Sequence, residues 1–260
     1  MPFSLNPESR SVSTQIPTKT DRLIVALDVS SGTHAQRIVG QLGDCVRFYK
    51  IGMQLYTAEG PEIVREFVRS GRKLFLDLKY HDIPNTVASA VREAAQLGVS
   101  MLTVHASGGK KMLAAAVEAA RSASRSGTGC NSDSDVLKIL AVTVLTSMDQ
   151  NDLNQVGVPG AVMDQVLRVA STAREAGCSG VVSSAHEAKV LRKEMGDNFL
   201  IVTPGVRPAG SESADQARVV TPAEAIAAGA SHIVVGRPIT AAKDPAAAAR
   251  QILEEMQNAG

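Results

Sequence analysis

Leu74-Phe75-Leu76-Asp77-Leu78-Lys79-Tyr80-His81-Asp82-Ile83-Pro84-Asn85-Thr86 is an apolar run that ends in two carboxylates and a lysine. Lys73–Leu78 has the length of a buried strand. Pro84 can open a helix, and Thr86–Leu97 reads as one that stops at Gly98, before a second apolar run at Met101–His105. Strand, helix, glycine and strand make a βαβ unit, whose two strands run parallel. On a regular strand Asp77 and Lys79 point to the same face. Charges sit badly in a strand, so the pair is either a structural salt bridge capping the strand or part of a site at its carboxyl end.

The unit repeats along the chain. Further apolar runs lie at Leu23–Asp28, Val46–Ile51, Leu137–Leu145, Gly180–Ser183, Phe199–Thr203 and His232–Gly236. They lack clean alternation, which suits strands buried on both faces of a parallel sheet. Helical stretches fill the gaps at Thr33–Leu42, Pro61–Ser70, Lys110–Arg121, Val162–Ala176, Ala185–Met195 and Pro222–Ala228, and Asp244–Asn258 follows the last strand. Gly98, Gly177 and Gly229 each stand between a helix and the next strand, as helix stop signals do. Eight strands alternating with eight helices predict a single (β/α)8 TIM barrel over residues 21–260. A doubly wound open sheet is the alternative, but Leu27-Asp28-Val29-Ser30 carries no glycine fingerprint after the first strand. Ser122–Asp135 reads as a polar surface loop, and residues 1–20 as a polar N-terminal arm.

Composition narrows the function classes. With 27 basic and 26 acidic residues the net charge is +1, which gives no global attraction to nucleic acid or an anionic membrane. No apolar run has the length of a membrane span. The three cysteines, Cys45, Cys130 and Cys178, are far apart and form no metal or disulfide pattern, which fits a reducing cytoplasm. The arm lacks the apolar centre of a secretory signal; Glu8 and only two basic residues also disfavour a transit peptide. Aromatics make up 3% of the chain, so the core must be aliphatic.

In a barrel, chemistry gathers at the carboxyl ends of the strands. Strand one ends in Asp28, strand two near Lys50, and strand three in Asp77 and Lys79 with Asp82 beyond. These residues could converge as a network of alternating charge. A lysine between carboxylates tends to stay protonated and would make a positioned general acid. Strand five ends in Thr146-Ser147. The loops after strands seven and eight hold Gly205, Arg207, Gly236 and Arg237. Barrels bind phosphate there, and arginines beside closely approaching backbone suit phosphate oxygens. Gln216 lies in a polar loop, Pro208–Gln216, that could close as a lid. His105 either lines the site or packs; His81 orients or packs; His34, His186 and His232 read as structural or exposed. No residue cluster has metal-ligand spacing, and two lysines among Asp28, Asp77 and Asp82 would compete with a cation.

From Leu23 to about Met256 the chain resembles the orotidine 5′-phosphate decarboxylase family. Asp77-Leu-Lys79-Tyr-His-Asp82-Ile-Pro-Asn-Thr86 carries that family's Asp-x-Lys-x-x-Asp signature with its flanks. Leu27-Asp28, Tyr49-Lys50-Ile-Gly, Leu145-Thr146-Ser, Thr203-Pro-Gly-Val-Arg207-Pro and Val235-Gly236-Arg237-Pro-Ile follow in the family's order. The resemblance implies a homodimeric barrel that converts orotidine monophosphate to uridine monophosphate and carbon dioxide, with neither metal nor organic cofactor. It implies Lys79 as proton donor to the ring carbon, Asp77 against the departing carboxylate, and Asp28 and Lys50 at the ribose hydroxyls. It further implies Thr86 and Thr146 as substrate contacts, Arg207, Gln216, Gly236 and Arg237 at the phosphate, and Asp82 reaching the neighbouring subunit's site.

Two rival readings remain at this level. Related sugar-phosphate decarboxylases and aldolases share the Asp-x-Lys-x-x-Asp pattern but depend on Mg²⁺; Lys50 at the second strand end disfavours a cation there. A barrel that binds a nucleotide without turnover is the other, although such a module has little use for Asp77 beside an anionic ligand.

Overall fold

The computed structural model describes residues 19–126, 136–208 and 220–258. Most of the polar arm, and the part of the Ser-rich segment beyond residue 126, lie outside them. Eight parallel strands close into a barrel in sequence order: β1 (Leu23–Ala26), β2 (Phe48–Gly52), β3 (Lys73–Tyr80), β4 (Met101–His105), β5 (Lys138–Val142), β6 (Gly180–Val182), β7 (Leu200–Pro204) and β8 (His232–Val235). The seam is β1 against β8, with Leu23, Ile24 and Val25 facing Ile233, Val234 and Val235. Arg22 ties the two sides below it, donating to the carbonyls of Ser231 (3.1 Å) and Ala230 (2.8 Å).

The helices are α1 (Gly32–Leu42), α2 (Met53–Glu59), α3 (Glu62–Arg69), α4 (Pro84–Gln96), α5 (Gly109–Ser126), α6 (Gln150–Gln155), α7 (Val162–Glu175), α8 (Ala185–Met195), α9 (Pro222–Ala227), α10 (Arg237–Thr240) and α11 (Pro245–Gln257). The glycine punctuation holds: Gly98, Gly177 and Gly229 adopt φ of 79°, 85° and 102°, backbone that only glycine takes without strain. Three short helices, α2, α6 and α10, were not expected. Each is four to seven residues long, too short to show an amphipathic period. The segment expected as a loop from Ser122 is helical through Ser126. Strand five is shorter than expected. After Val142 only Thr143 continues the pairing, to the Val182 carbonyl, and Thr146 falls in the turn beyond.

Two apolar layers follow from strand alternation. Inward residues Ile24, Ala26, Phe48, Phe75, Met101, Leu140, Val202 and Val234 fill the barrel, and a larger aliphatic shell lies between strands and helices. At the amino-terminal end of the barrel His232 is buried, edge-on to Phe48 with ring centroids 6.0 Å apart. Burial, with Lys138 and Arg22 nearby, pushes its pKa down to about 3 from 6.5. A folded-state pKa below the unfolded one contributes stability above about pH 6.5 that is lost as pH falls toward about 3. Urea unfolding of the wild type should therefore lose up to ~1.4 kcal/mol per pH unit more than His232→Phe over that window. Equal slopes for the two proteins would refute this.

Candidate active site

Lys50 on β2 and Asp77 on β3 project into the upper barrel, where Gly52 pairs with Asp77 across the two strands. Lys50 Nζ lies 2.8 Å from Asp28 Oδ1 and 3.5 Å from Asp77 Oδ2. Lys79 Nζ lies 2.9 Å from Asp77 Oδ1. The order Asp28, Lys50, Asp77, Lys79 is thus a chain of alternating charge. Its members differ in exposure: the side chains are 55%, 10%, 13% and 24% accessible in that order. Asp77 and Lys50 are the desolvated centre, where electrostatic interactions are strongest. Burial alone would raise the Asp77 pKa, but Lys50, Lys79 and hydrogen bonds from Lys79 and Thr103 hold it below its ordinary value. Gly52 makes the packing possible, since a Cβ there would meet Lys50 Nζ at 2.9 Å and Asp28 Oδ1 at 3.0 Å.

The expectation that Asp77 and Lys79 share a regular strand face needs correction. Lys79 has φ of 52°, the one positive value among described non-glycine residues, and the β3–β4 register shifts between Leu76 and Tyr80. The ammonium still reaches Asp77, but from a left-handed backbone. Its N–H donates to Thr103 Oγ1 on β4 at 2.9 Å, and that hydroxyl donates to Asp77 Oδ1 at 3.0 Å. Sequence reading missed Thr103. Strand alternation puts Thr103 on the face of Met101 and His105, but its contact with Lys79 depends on the β3–β4 register shift.

The network borders a cavity of about 550 Å³ that also exposes Thr146, Gly205, Arg207, Gly236 and Arg237. Its walls include Ala26, Phe75, Val142, Val144, Val182 and Val234. Arg207 is buried, and Arg237 is exposed at the start of α10. The stem of the intervening loop is closed by a Val206–Val220 bridge and by the Arg207 N–H donating to the Val220 carbonyl at 3.1 Å. Gly205 has φ of 79°. At Gly236 a Cβ would meet only Ala26 Cβ, at an ordinary 3.6 Å, so any demand for glycine there comes from the cavity side.

Of the expected site residues, one lies outside the described residues and two stand outside the cavity lining. Gln216 and most of the Pro208–Gln216 loop lie outside the described residues. Asp82 is exposed, accepts from the N–H of Ile83 at 2.6 Å and joins none of the ion pairs above. Thr86, in the first turn of α4, is exposed and does not line the cavity. His105 does not line it either. It packs against His81 with ring centroids 5.4 Å apart, and burial, then His81 and Lys79, lowers its pKa. Among the described residues no group of three or more His, Cys, Asp or Glu is placed to hold a metal ion.

Comparison with known proteins matches this geometry to a family. Residues 21–252 match the model of the orotidine 5′-phosphate decarboxylase / HUMPS family. The chain is 50% identical to the orotidine 5′-phosphate decarboxylase of Moorella thermoacetica over 238 residues, covering 91% of this chain and 92% of that protein. It is also 50% identical to that of a Methylobacterium species over 242 residues, covering 93% and 98%. The crystal structure of orotidine 5′-phosphate decarboxylase from Lactobacillus acidophilus superposes with a TM-score of 0.80 at 40% identity, covering 91% of this chain and 99% of that one. The chain, whose charged quartet and arginine-lined loops ring one barrel mouth, belongs to the orotidine 5′-phosphate decarboxylase / HUMPS family.

Proposed function

We infer that this chain decarboxylates orotidine 5′-monophosphate to uridine 5′-monophosphate and carbon dioxide, a step of pyrimidine nucleotide biosynthesis, and does so without metal or organic cofactor. The observation that carries the reading is the alternating quartet Asp28–Lys50–Asp77–Lys79 on a cavity that also holds Arg207 and Arg237. Breaking the bond between the ring carbon and the carboxylate carbon leaves the electron pair on the ring. Stabilisation must then be electrostatic and preorganised. Lys79 supplies the ammonium that faces the developing carbanion and donates the proton that completes uridine monophosphate. Asp77, kept ionised by its two lysines, stands against the substrate carboxylate and loses that repulsion as carbon dioxide leaves. Asp28 and Lys50 serve the ribose hydroxyls, Thr146 the pyrimidine, and Arg207, Gly236 and Arg237 the phosphate, with Gln216 from the loop above. Thr86, away from the cavity, would act through the start of α4. Binding energy from the phosphate is thereby used at a ring it does not touch.

The reading includes a homodimer. Asp82 has no ion-pair partner among the described residues and stands beside Ile83, which is 67% exposed. An exposed apolar residue next to an unpaired carboxylate at the barrel mouth suits a face where a second copy accepts the carboxylate into its own site. A cytoplasmic location fits a biosynthetic enzyme in which no described helix is long and apolar enough to cross a membrane.

The Mg²⁺-dependent sugar-phosphate branch is disfavoured because Lys50 Nζ occupies the space between Asp28 and Asp77. A spectrophotometric assay with orotidine monophosphate, before and after exhaustive chelation, tests the reading. Undiminished turnover is expected. Tight binding without product, or turnover lost on chelation and restored by Mg²⁺, would overturn it.

A further inference from the structure

We propose that Thr103 is a positioning residue for this reaction, its one hydroxyl locking the Asp77 carboxylate and the Lys79 backbone into a single arrangement. The inference rests on the roles given above to Asp77 and Lys79. Thr103 lies in the middle of β4 and is fully buried. A threonine hydroxyl has one donor and two acceptor positions. Here the donor goes to Asp77 Oδ1 at 3.0 Å, and the Lys79 N–H fills an acceptor position at 2.9 Å.

Both bonds answer a local need. Where β3 turns left-handed at Lys79, its pairing with β4 breaks between Leu76 and Tyr80. The Lys79 N–H thereby loses a ladder partner, and the Thr103 hydroxyl replaces it. A lysine at φ of 52° persists only where surrounding structure holds it. On the other side, Asp77 Oδ1 receives both Thr103 and Lys79 Nζ, which leaves Oδ2 to Lys50. The carboxylate is fixed in rotation, and with it the edge presented to the cavity. The same hydroxyl therefore sets the position of the anion and the direction from which the ammonium arrives. Positioning of this kind acts on the chemical step more than on binding, since neither of its partners is among the groups assigned to the phosphate.

The test compares wild type, Thr103→Val and Thr103→Ser with orotidine monophosphate, alongside Lys79→Ala. Valine keeps the shape and removes the hydroxyl. It leaves a buried N–H and a charged oxygen each short of one partner, and kcat should fall about 10–100-fold, with KM changed less than about threefold. The acid limb of the kcat profile should move to higher pH, because Asp77 loses one of the bonds that favour its ionised form. Serine should restore most of kcat. Wild-type kcat in a folded Thr103→Val, a loss confined to KM, or equal damage from valine and serine would each overturn the proposal. If the valine variant does not fold, Thr103→Ala against Thr103→Ser reads the same hydroxyl. An inactive Lys79→Ala beside an undamaged Thr103→Val would refute this proposal alone, whereas an active Lys79→Ala would refute the reading beneath it.

Discussion

Lys79→Ala should lose at least about ten-thousand-fold in turnover while keeping the barrel's thermal unfolding, because in the proposed mechanism one group supplies both the proton and the charge facing the carbanion. The side chain is partly accessible and packs in neither apolar layer, so its removal leaves no core cavity. The variant also separates two contributions. Asp77 keeps Lys50 at 3.5 Å and stays ionised, but its nearer cation is gone. A substrate carboxylate would then meet a less compensated anion. Affinity for orotidine monophosphate should therefore fall further than affinity for uridine monophosphate, which lacks that group. Calorimetry with both nucleotides reads the difference. Turnover within tenfold of wild type would remove Lys79 from the mechanism, and equal losses of the two affinities would remove Asp77 from the carboxylate's side.

Asp82→Asn should be nearly inactive by itself, and mixing it with inactive Lys79→Ala should restore activity. If each site takes Lys79 from one subunit and Asp82 from the other, a mixed dimer has one site with both lesions and one with neither. Random pairing of equal amounts makes half the dimers mixed, so recovery should approach about a quarter of wild type. Unmixed samples show no such gain. Failure to recover after verified subunit exchange would place Asp82 in its own subunit's site or outside catalysis. With both unmixed variants far below that quarter, the recovery reads which copy Asp82 serves.

The fold was legible because its code is local. Helix, glycine and strand recur with the glycines at positive φ, and each unit announces its own boundaries. Most of the site was legible for a related reason. Asp28, Lys50, Asp77, Arg207 and Arg237 stand at strand ends, so knowing the barrel is enough to bring them to one mouth. What stayed hidden depends on contacts between strands. Thr103 matters only because the β3–β4 register slips beside it, and a register shift leaves no mark in composition. Gly52 matters only because Lys50 crosses over it toward Asp28. The left-handed turn at Lys79 runs against the residue's own preference, so no local rule foretells it. Thr86 came only from the family resemblance, and within one subunit it stands in the first turn of α4 outside the cavity lining.

The closed sheet also changes what distance along the chain means. Asp28, Lys50, Asp77 and Lys79 come early in the sequence, Arg207 and Arg237 late. Around the ring, however, β7, β8, β1, β2 and β3 are consecutive neighbours, and the join between β8 and β1 spans two segments 209 residues apart, as the Arg22 bond to Ser231 measures. The charged quartet and the two arginines are thus adjacent sectors of one circle that happens to be cut between them. Neither sector is complete as a pocket until the first and last strands meet, so the most sequence-remote strand pairing is the one that turns two sets of side chains into a single cavity.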